Sequence, residues 1–306
     1  MTSFSGTALR EPPRLSIGAR VALIAPSGPL RGADDVAIAE SSARMLGWEP
    51  VVGAHVHSRD GYFAGDDATR LRDLMWALTD SRIDGIWCLR GGYGASRLLP
   101  HLPRHTIRAN GKALLGYSDI TALHAAWGDA GLVSFHAPTA RATLTDFSRE
   151  SLVRTVQNGG DGCGSFGDCA VLREGVATGR LAGGNLALVT SLCGTPWAID
   201  FRGAIVVLED INEATYRIDR MLTQLRLSGA LAECVALVVG QCTGCVEDSD
   251  DGFRTLEAVV RECAELLGVP SVIGAPFGHI ANQWTLPLGA LATLHTREGT
   301  LTVHRA

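Results

Sequence analysis

The sequence predicts an α/β protein with an N-terminal domain built on a parallel sheet and a C-terminal mixed α/β domain. Its 306 residues are about the length of two domains. Strand and helix patterns alternate through the first half, whereas short β-type segments and glycine turns begin the second. We therefore expect an extension, a first domain, a Gly- and Asp-rich linker and a second domain, at residues 1–20, 21–157, 158–170 and 171–306.

The first half reads as strand, helix, strand, helix. Val21–Ala25 is a short apolar run that ends in a Pro-Ser-Gly-Pro turn, and Asp34–Leu46 follows as a helix. Asp66 or Asp67 can cap the next helix, and Ile86–Leu89 forms another buried strand. This repeated order favours a parallel sheet with helices on both faces.

A serine follows at the corner between a strand and a helix. Lys112–Leu115 is an apolar strand, Gly116 permits a tight turn, and Ile120–Ala130 has helical spacing. Such a corner exposes Ser118 beside the amides of the next helix, which suits a nucleophile. The pattern is Gly-x-Ser-Asp rather than the usual Gly-x-Ser-x-Gly, and a helix N-cap is the alternative interpretation.

Three loops fall at the carboxyl ends of these strands, where ligands collect in parallel sheets. They are Pro26–Pro29, Arg90–Gly94 and Tyr117–Asp119, and we expect them to form one rim. The Gly-rich second loop offers free backbone amides for an oxyanion hole or a phosphate, although it also suits a simple turn. It matches neither a Walker loop nor a dinucleotide fingerprint, which argues against nucleotide chemistry.

In the second half, the pattern predicts two strands, each followed by a helix, and then a C-terminal region of strands and loops. The strands are Ala204–Leu208 and Ala236–Val239, and the helices are 216–227 and 255–267. Ile273–Val303 completes the predicted domain.

A serine nucleophile needs a base and a carboxylate that orients it. Of nine histidines, His279 stands out because it follows a turn glycine, although an exposed ring is the plainer interpretation. Glu209 ends an apolar strand, but Asp210 and Glu213 lie in the same loop and compete with it. The residue pattern narrows the carboxylate to this loop and no further.

Charge and cysteine content restrict the remaining functions. The net charge is −5 and the basic residues are not clustered, so the sequence predicts no positively charged surface for nucleic acid or an anionic membrane. We therefore expect a small-molecule partner. No apolar run reaches the roughly 20 residues of a membrane helix, and residues 1–20 lack the features of a secretory signal, which makes the cytoplasm the default. The eight scattered cysteines include a lone Cys242-Thr243-Gly244-Cys245, to which the sequence assigns no zinc, redox or other function.

Nine segments in a fixed order carry a family resemblance. They are Leu23–Gly28, Arg90–Leu99, Gly116–Asp119, Gly183–Leu186, Gly194–Trp197, Leu208–Glu213, Arg217–Leu222, Phe277–His279 and Leu286–Gly289. Through them the chain resembles, from about residue 21 to residue 303, the LD-carboxypeptidases. This is the muramoyltetrapeptide carboxypeptidase family of serine peptidases, which also includes microcin C self-immunity proteins.

The resemblance implies a fold and a set of roles. The N-terminal domain would be flavodoxin-like or class I amidotransferase-like, with the active site at the domain interface. Ser118 would be the nucleophile, His279 the base and Glu209 its partner. The backbone amides of Gly92 and Asp119 would form the oxyanion hole.

The resemblance also implies an activity. The activity would be the release of the terminal D-Ala from a murein tetrapeptide through an acyl-enzyme. It would serve cytoplasmic peptidoglycan recycling. The enzyme would be a homodimer that needs no metal or cofactor. Arg90 lies beside the oxyanion loop, and we expect it to hold the D-Ala carboxylate.

Two alternatives remain at this stage. One is an immunity hydrolase of acyl-sulfamoyl adenylates, for which Trp197 and Trp284 could form an aromatic pocket. The other is a non-catalytic two-lobe binding protein in which Ser118 caps a helix.

Overall fold

The structure is a computed structural model that describes residues 9–167, 169–246 and 254–304. Residues 1–8 of the predicted extension lie outside the described residues. So does residue 168 of the predicted linker. In the predicted second domain, the same is true of residues 247–253 and 305–306. No helix in the described part of the chain has the length and apolar character needed to cross a membrane.

The structure contains fourteen strands and eight α-helices within these residues. The strands are β1 (Arg20–Ile24), β2 (Glu49–Val52), β3 (Gly85–Cys88), β4 (Ala113–Gly116), β5 (Ser134–His136), β6 (Gly164–Ser165), β7 (Ala170–Arg173), β8 (Val176–Asn185), β9 (Ala204–Glu209), β10 (Ala236–Gln241), β11 (Ser271–Gly278), β12 (Leu286–Leu288), β13 (Leu291–His295) and β14 (Thr300–His304). The helices are α1 (Asp35–Met45), α2 (Asp67–Thr79), α3 (Arg104–Asn110), α4 (Thr121–Asp129), α5 (Asp146–Leu152), α6 (Leu186–Leu192), α7 (Thr215–Leu227) and α8 (Leu256–Leu267). Short 3₁₀ helices span Ala95–His101 and Ser118–Ile120.

The first sheet has the order β12-β5-β4-β3-β1-β2. Its five strands from the N-terminal half are parallel, and their order matches the flavodoxin-like arrangement. Buried strands such as β3 are apolar throughout because helices cover both faces of a parallel sheet. Trp87 on β3 donates from its indole nitrogen to the carbonyl oxygen of Pro138 at 2.7 Å, which satisfies its one polar group inside the core.

The second sheet has the order β6-β14-β13-β8-β9-β10-β11-β7. Its central strands, β8 to β11, are parallel, while the strands at both sides are antiparallel. All six residues of β9 are buried. The two sheets with their helices confirm the predicted α/β class, a parallel-sheet domain followed by a mixed one.

The two halves of the chain are joined at several points. Strand β12 belongs to the C-terminal half by sequence but pairs antiparallel with β5 of the first sheet. The backbone N–H of Asn185, at the end of β8, donates to the hydroxyl of Thr121 at 3.0 Å. Gly184 has φ +135, and a Cβ there would lie 2.5 Å from the same hydroxyl, so only glycine allows this approach. The C-terminal sheet thus packs directly on the start of α4.

Most predicted elements occur within one or two residues of their expected ends. Helix α5 begins at Asp146, because the Thr145 hydroxyl accepts from the Ser148 N–H at 3.2 Å and caps it. The tract 158–170, expected as a linker, contains β6, which pairs with β14.

Candidate active site

Ser118 stands at a strained corner of the backbone. Strand β4 ends at Gly116, the 3₁₀ turn begins at Ser118, and α4 follows directly. Ser118 has φ 65, a left-handed conformation that costs a non-glycine residue roughly 1–2 kcal/mol. The N-cap of α4 is Ile120, and neither it nor Tyr117, the N-cap of the 3₁₀ turn, makes a side-chain capping bond. Ser118 is therefore not the N-cap of α4, and its half-buried side chain remains at the turn.

The three predicted loops meet around this corner. The N–H of Gly28 donates to the carbonyl of Gly91 at 3.0 Å, which joins the first loop to the second. A Cβ on Gly91 would lie 2.9 Å from the Cβ of Ser118, so glycine is needed for the second loop to touch the third. The expected rim is confirmed.

Asp119 connects the corner to the Gly-rich loop. Its side chain is fully buried and accepts from the backbone N–H of Ala95 at 2.8 Å. Burial raises the pKa of Asp119, and the hydrogen bond from Ala95 opposes that shift. The sequence identified only the backbone amide of Asp119 and missed this carboxylate, although it follows the serine directly.

His279 and Glu209 form a buried pair. The Nδ1 of His279 lies 2.7 Å from Oε2 of Glu209, and the Glu209 side chain has no exposed surface. A carboxylate acceptor fixes the proton on Nδ1, which leaves the Nε2 lone pair available as a base. Gly278 has φ +113, and a Cβ there would lie 3.0 Å from Glu209, so glycine allows this contact.

The two competing carboxylates have other partners. Asp210 accepts from the Asn185 side chain at 3.0 Å and from the Ala187 N–H at 2.9 Å, which anchors the start of α6. Burial, together with the nearby charge of Glu209, raises the pKa of Asp210 to about 6. Glu213 pairs with Arg217 at 3.4 Å. Among these three carboxylates, Glu209 is the one that contacts His279.

The serine corner and the histidine pair lie side by side. The ring centroid of His279 is 4.7 Å from that of Tyr117, the residue immediately before Ser118. Burial raises the pKa of Tyr117, and the nearby Glu209 charge adds to the shift. Residues from both halves of the chain therefore come together where the two sheets meet.

Arg90 lies in a cationic environment beside the Gly-rich loop. Its guanidinium donates to the carbonyl oxygen of Pro29. Burial lowers the pKa of Arg90, and the neighbouring charges of Arg31 and Arg141 lower it further, while Asp35 opposes them. An arginine stays protonated in such a setting, so the cluster attracts an anion.

His124 supports the corner from inside the core. Its Nε2 lies 2.9 Å from the carbonyl oxygen of Gly116 and its Nδ1 2.9 Å from the hydroxyl of Ser134. Burial lowers the pKa of His124 to about 4, so the ring is neutral at pH 7. Because a carbonyl oxygen only accepts, the proton resides on Nε2. No sequence pattern marks this role, since a single histidine on an apolar helix cannot be told from other buried residues of that helix.

Exposed aromatic rings lie next to the Gly-rich loop. Tyr62 and Tyr93 are 66% and 49% exposed, and their ring centroids are 5.9 Å apart. Phe63 packs against both rings. In contrast, Trp284 is 2% exposed and packs on Phe166, so the expectation that it lines an aromatic pocket is wrong. Trp197, the other expected ring, is half-buried against the core around β3 and α4.

A cavity of about 500 Å³ opens elsewhere between the two halves. His124, Gly128, Arg180 and Gly183 are among the residues that line it. None of the six predicted site residues does so. The candidate site is therefore the junction of loops around Ser118 rather than this cavity.

Comparison with known proteins identifies similar sequences and structures. Family models for the LD-carboxypeptidase N-terminal and C-terminal domains match residues 21–137 and 178–294. The chain is 34% identical over 298 residues to a murein tetrapeptide carboxypeptidase of Pseudomonas aeruginosa, which covers 91% of this chain and 94% of that protein.

Solved structures agree with this result. The crystal structure of a muramoyltetrapeptide carboxypeptidase from Oxalobacter formigenes superposes with a TM-score of 0.83 at 32% identity, over 93% of this chain and 98% of that one. The Escherichia coli microcin C7 self-immunity protein MccF, in complex with aspartyl sulfamoyl adenosine, gives a TM-score of 0.87 over 98% of this chain and 99% of that one. Its identity of 22% supports the fold alone.

Proposed function

The chain belongs to the LD-carboxypeptidase family, and we propose that it is a serine carboxypeptidase that releases the terminal D-Ala of murein tetrapeptide. One observation carries this proposal. The buried Glu209 carboxylate holds His279 at 2.7 Å, and the His279 ring lies 4.7 Å from Tyr117, next to a serine in a strained conformation. This is the combination of an oriented base and a nearby serine hydroxyl that acyl transfer requires.

The chemical steps follow from these three side chains. His279 would take the proton of Ser118 at Nε2, and the Ser118 oxygen would attack the carbonyl of the residue before D-Ala. Glu209 would stabilise the imidazolium, since it is buried and already paired with Nδ1. His279 would then protonate the departing amine of D-Ala, and water would release the tripeptide from the acyl-enzyme.

The oxyanion hole would use two backbone amides. The N–H of Asp119 lies in the first turn of a helix, where an amide has no acceptor within the helix. Gly92 has φ 118 and belongs to the loop whose Gly91 touches Ser118. Two such donors, directed at the developing negative charge, are each worth about 3–4 kcal/mol in comparable enzymes.

The substrate assignment rests on charge and on the relatives. A tetrapeptide that ends in D-Ala carries a free carboxylate, and the cluster of Arg90, Arg31 and Arg141 offers it a positive field. Arg90 directly precedes Gly91 of the Gly-rich loop, and its planar guanidinium matches the geometry of a carboxylate. Relatives at 33% and 34% identity are named for murein peptides. We also propose cytoplasmic recycling of peptidoglycan and a homodimer, as the family resemblance implies.

The decisive experiment measures D-Ala. Purified protein is incubated with a murein tetrapeptide, and free D-Ala is followed by mass spectrometry, with Ser118→Ala as the control. We expect release by the wild type and a loss of about 10⁵-fold or more in kcat for the variant, because removing a nucleophile abolishes the covalent route. Circular dichroism checks that the variant is folded.

The same assay decides between the alternatives. Hydrolysis of an acyl-sulfamoyl adenylate without D-Ala release would support the immunity reaction instead. Binding of tetrapeptide without turnover, unchanged in Ser118→Ala, would support a non-catalytic binding protein.

A further inference from the structure

The turn Cys242–Cys245 follows β10 and brings two free thiols together. The N–H of Cys245 donates to the carbonyl oxygen of Cys242 at 3.2 Å, and Gly244 has φ +69. The first and fourth Cα atoms of such a turn lie less than about 7 Å apart, which overlaps the range of about 4.4–6.8 Å found for disulfides.

The turn contacts the loop that begins at Glu209. The N–H of Asn212 donates to the carbonyl of Thr243 at 2.9 Å. A Cβ on Gly244 would lie 2.4 Å from Oδ1 of Asn212, so glycine allows this approach. The dithiol turn therefore packs against the loop that carries the proposed carboxylate.

The same turn also contacts the segment of the proposed base. The hydroxyl of Thr243 donates to the backbone carbonyl of His279 at 3.0 Å. One four-residue turn thus links the two chain segments that hold Glu209 and His279, on either side of their 2.7 Å hydrogen bond.

Cys245 differs chemically from the buried thiols of Cys234 and Cys263. The neighbouring Cys242 thiol lowers the pKa of Cys245, which favours a thiolate there. Burial instead raises the pKa of both Cys234 and Cys263 to about 11. Oxidation proceeds through the thiolate, so Cys245 is favoured over these two thiols.

We propose that Cys242 and Cys245 are a redox-active dithiol, and that their oxidation to a disulfide disturbs the Glu209–His279 pair. With hydrogen peroxide as oxidant, the Cys245 thiolate attacks one oxygen, the O–O bond breaks, and a sulfenic acid forms. The departing hydroxide takes up the proton that the Cys245 thiol had released. The Cys242 thiol then attacks that sulfur, the S–S bond forms, and water leaves. Two thiols are oxidised and one peroxide is reduced to two waters.

The structural effect follows from bond length. The two sulfur atoms must approach to about 2.05 Å in a disulfide. That contraction pulls on Thr243, whose carbonyl accepts from Asn212 and whose hydroxyl donates to the carbonyl of His279. A shift near 1 Å at a catalytic group can lower kcat about 100-fold, so we expect a loss of roughly 10- to 100-fold. This loss of activity, unlike disulfide formation, rests on the proposed function.

To test this, the reduced full-length protein is oxidised with hydrogen peroxide. The disulfide bond and its effect on the Glu209–His279 pair are then measured separately. Peptide mass spectrometry measures a Cys242–Cys245 cross-link that disappears with dithiothreitol. The pH titration of the His279 ring by NMR, assigned with His279→Gln, reports the coupling without an activity assay. D-Ala release before and after peroxide is compared within each protein: wild type, Cys242→Ser, Cys245→Ser, and Cys193→Ser as the matched control.

We expect the cross-link, a shift of the His279 titration and a reversible fall in kcat in the wild type and in Cys193→Ser, and none of these in the two turn variants. Absence of the cross-link, or pairing at other cysteines, would overturn the redox site. A cross-link with unchanged His279 titration would overturn the coupling. If reduced wild-type protein released no D-Ala, the proposed function would fail while the first two readouts still decided this inference.

Discussion

The two halves of the candidate site are built in different ways. The serine corner consists of consecutive residues between β4 and α4, and its main supports, Asp119 and His124, lie within six residues of Ser118. The His279–Glu209 pair joins residues 70 positions apart in sequence. Its geometry depends on loops from three parts of the second half, including the Cys242–Cys245 turn.

Because of this difference, we expect substitutions in the two halves of the site to affect different properties. The corner derives its shape from the local backbone and from the buried side chains of Asp119 and His124 that hydrogen-bond to backbone groups, so changes there should affect stability. The pair depends on one hydrogen bond and on loop positions, so small changes there should affect catalysis with little effect on the fold. Four substitutions test this contrast.

Replacing the carboxylate should give the largest effect of these four. Glu209→Gln keeps the size of the side chain but no longer fixes the Nδ1 proton of His279, and we expect kcat to fall about 10⁴-fold. The melting temperature should change little. Glu213→Gln, whose carboxylate pairs with Arg217, is the matched control and should keep kcat within about threefold of the wild type. Equal losses in both variants would show that the loop, rather than Glu209, matters.

Acid should weaken the serine corner through His124. Its folded-state pKa is about 4, below the ordinary value near 6.5, so its contribution is complete above pH 6.5 and is lost as the pH falls towards 4. This predicts a loss of about 3 kcal/mol in unfolding free energy between pH 7 and pH 4. Urea denaturation at each pH measures it.

The matched variant isolates this contribution. His124→Gln cannot gain a proton, so its stability should fall less steeply in acid than that of the wild type. Asp210, whose raised pKa acts in the opposite sense as the pH falls through 6, is present in both proteins and cancels in the difference. Parallel pH profiles would contradict the buried neutral histidine.

Arg90 tests whether the first half also binds substrate. Arg90→Ala removes one charged hydrogen-bond donor, worth about 1.5–3 kcal/mol, so KM for the tetrapeptide should rise roughly 10- to 100-fold. The value of kcat should fall far less. Arg82→Ala, an exposed arginine paired with Asp80, controls for loss of charge. An unchanged KM in Arg90→Ala would remove this residue from the binding site.

The strain at Ser118 predicts the smallest effect. Ser118→Gly removes the left-handed conformational penalty, and it should be more stable than Ser118→Ala by about 1 kcal/mol. Both variants should be inactive. Thermal unfolding of the pair measures the difference, and equal stabilities would mean that the corner relaxes without cost.

Much of the fold could be predicted because its signals are local. The apolar runs of β1, β3 and β9, the capping residue Asp66 and the glycine at the end of β4 each act within a few residues. The position of Ser118 at a strand-to-helix corner belongs to the same class. Such features depend on backbone preferences that neighbouring residues impose.

The amino-acid sequence also identified the three rim loops and the 209–213 loop as candidate sites of catalysis, because the carboxyl ends of strands in a parallel sheet lie along one edge. The residue pattern left Glu209, Asp210 and Glu213 in competition, and the family resemblance favoured Glu209. The three-dimensional packing shows that Glu209 contacts His279, that Ser118 is not the N-cap of α4, that Trp284 is buried, and that Cys242–Cys245 contacts the site. The physical reason is distance along the chain: these contacts join residues tens of positions apart, and their geometry is set by how the two sheets pack rather than by any local pattern.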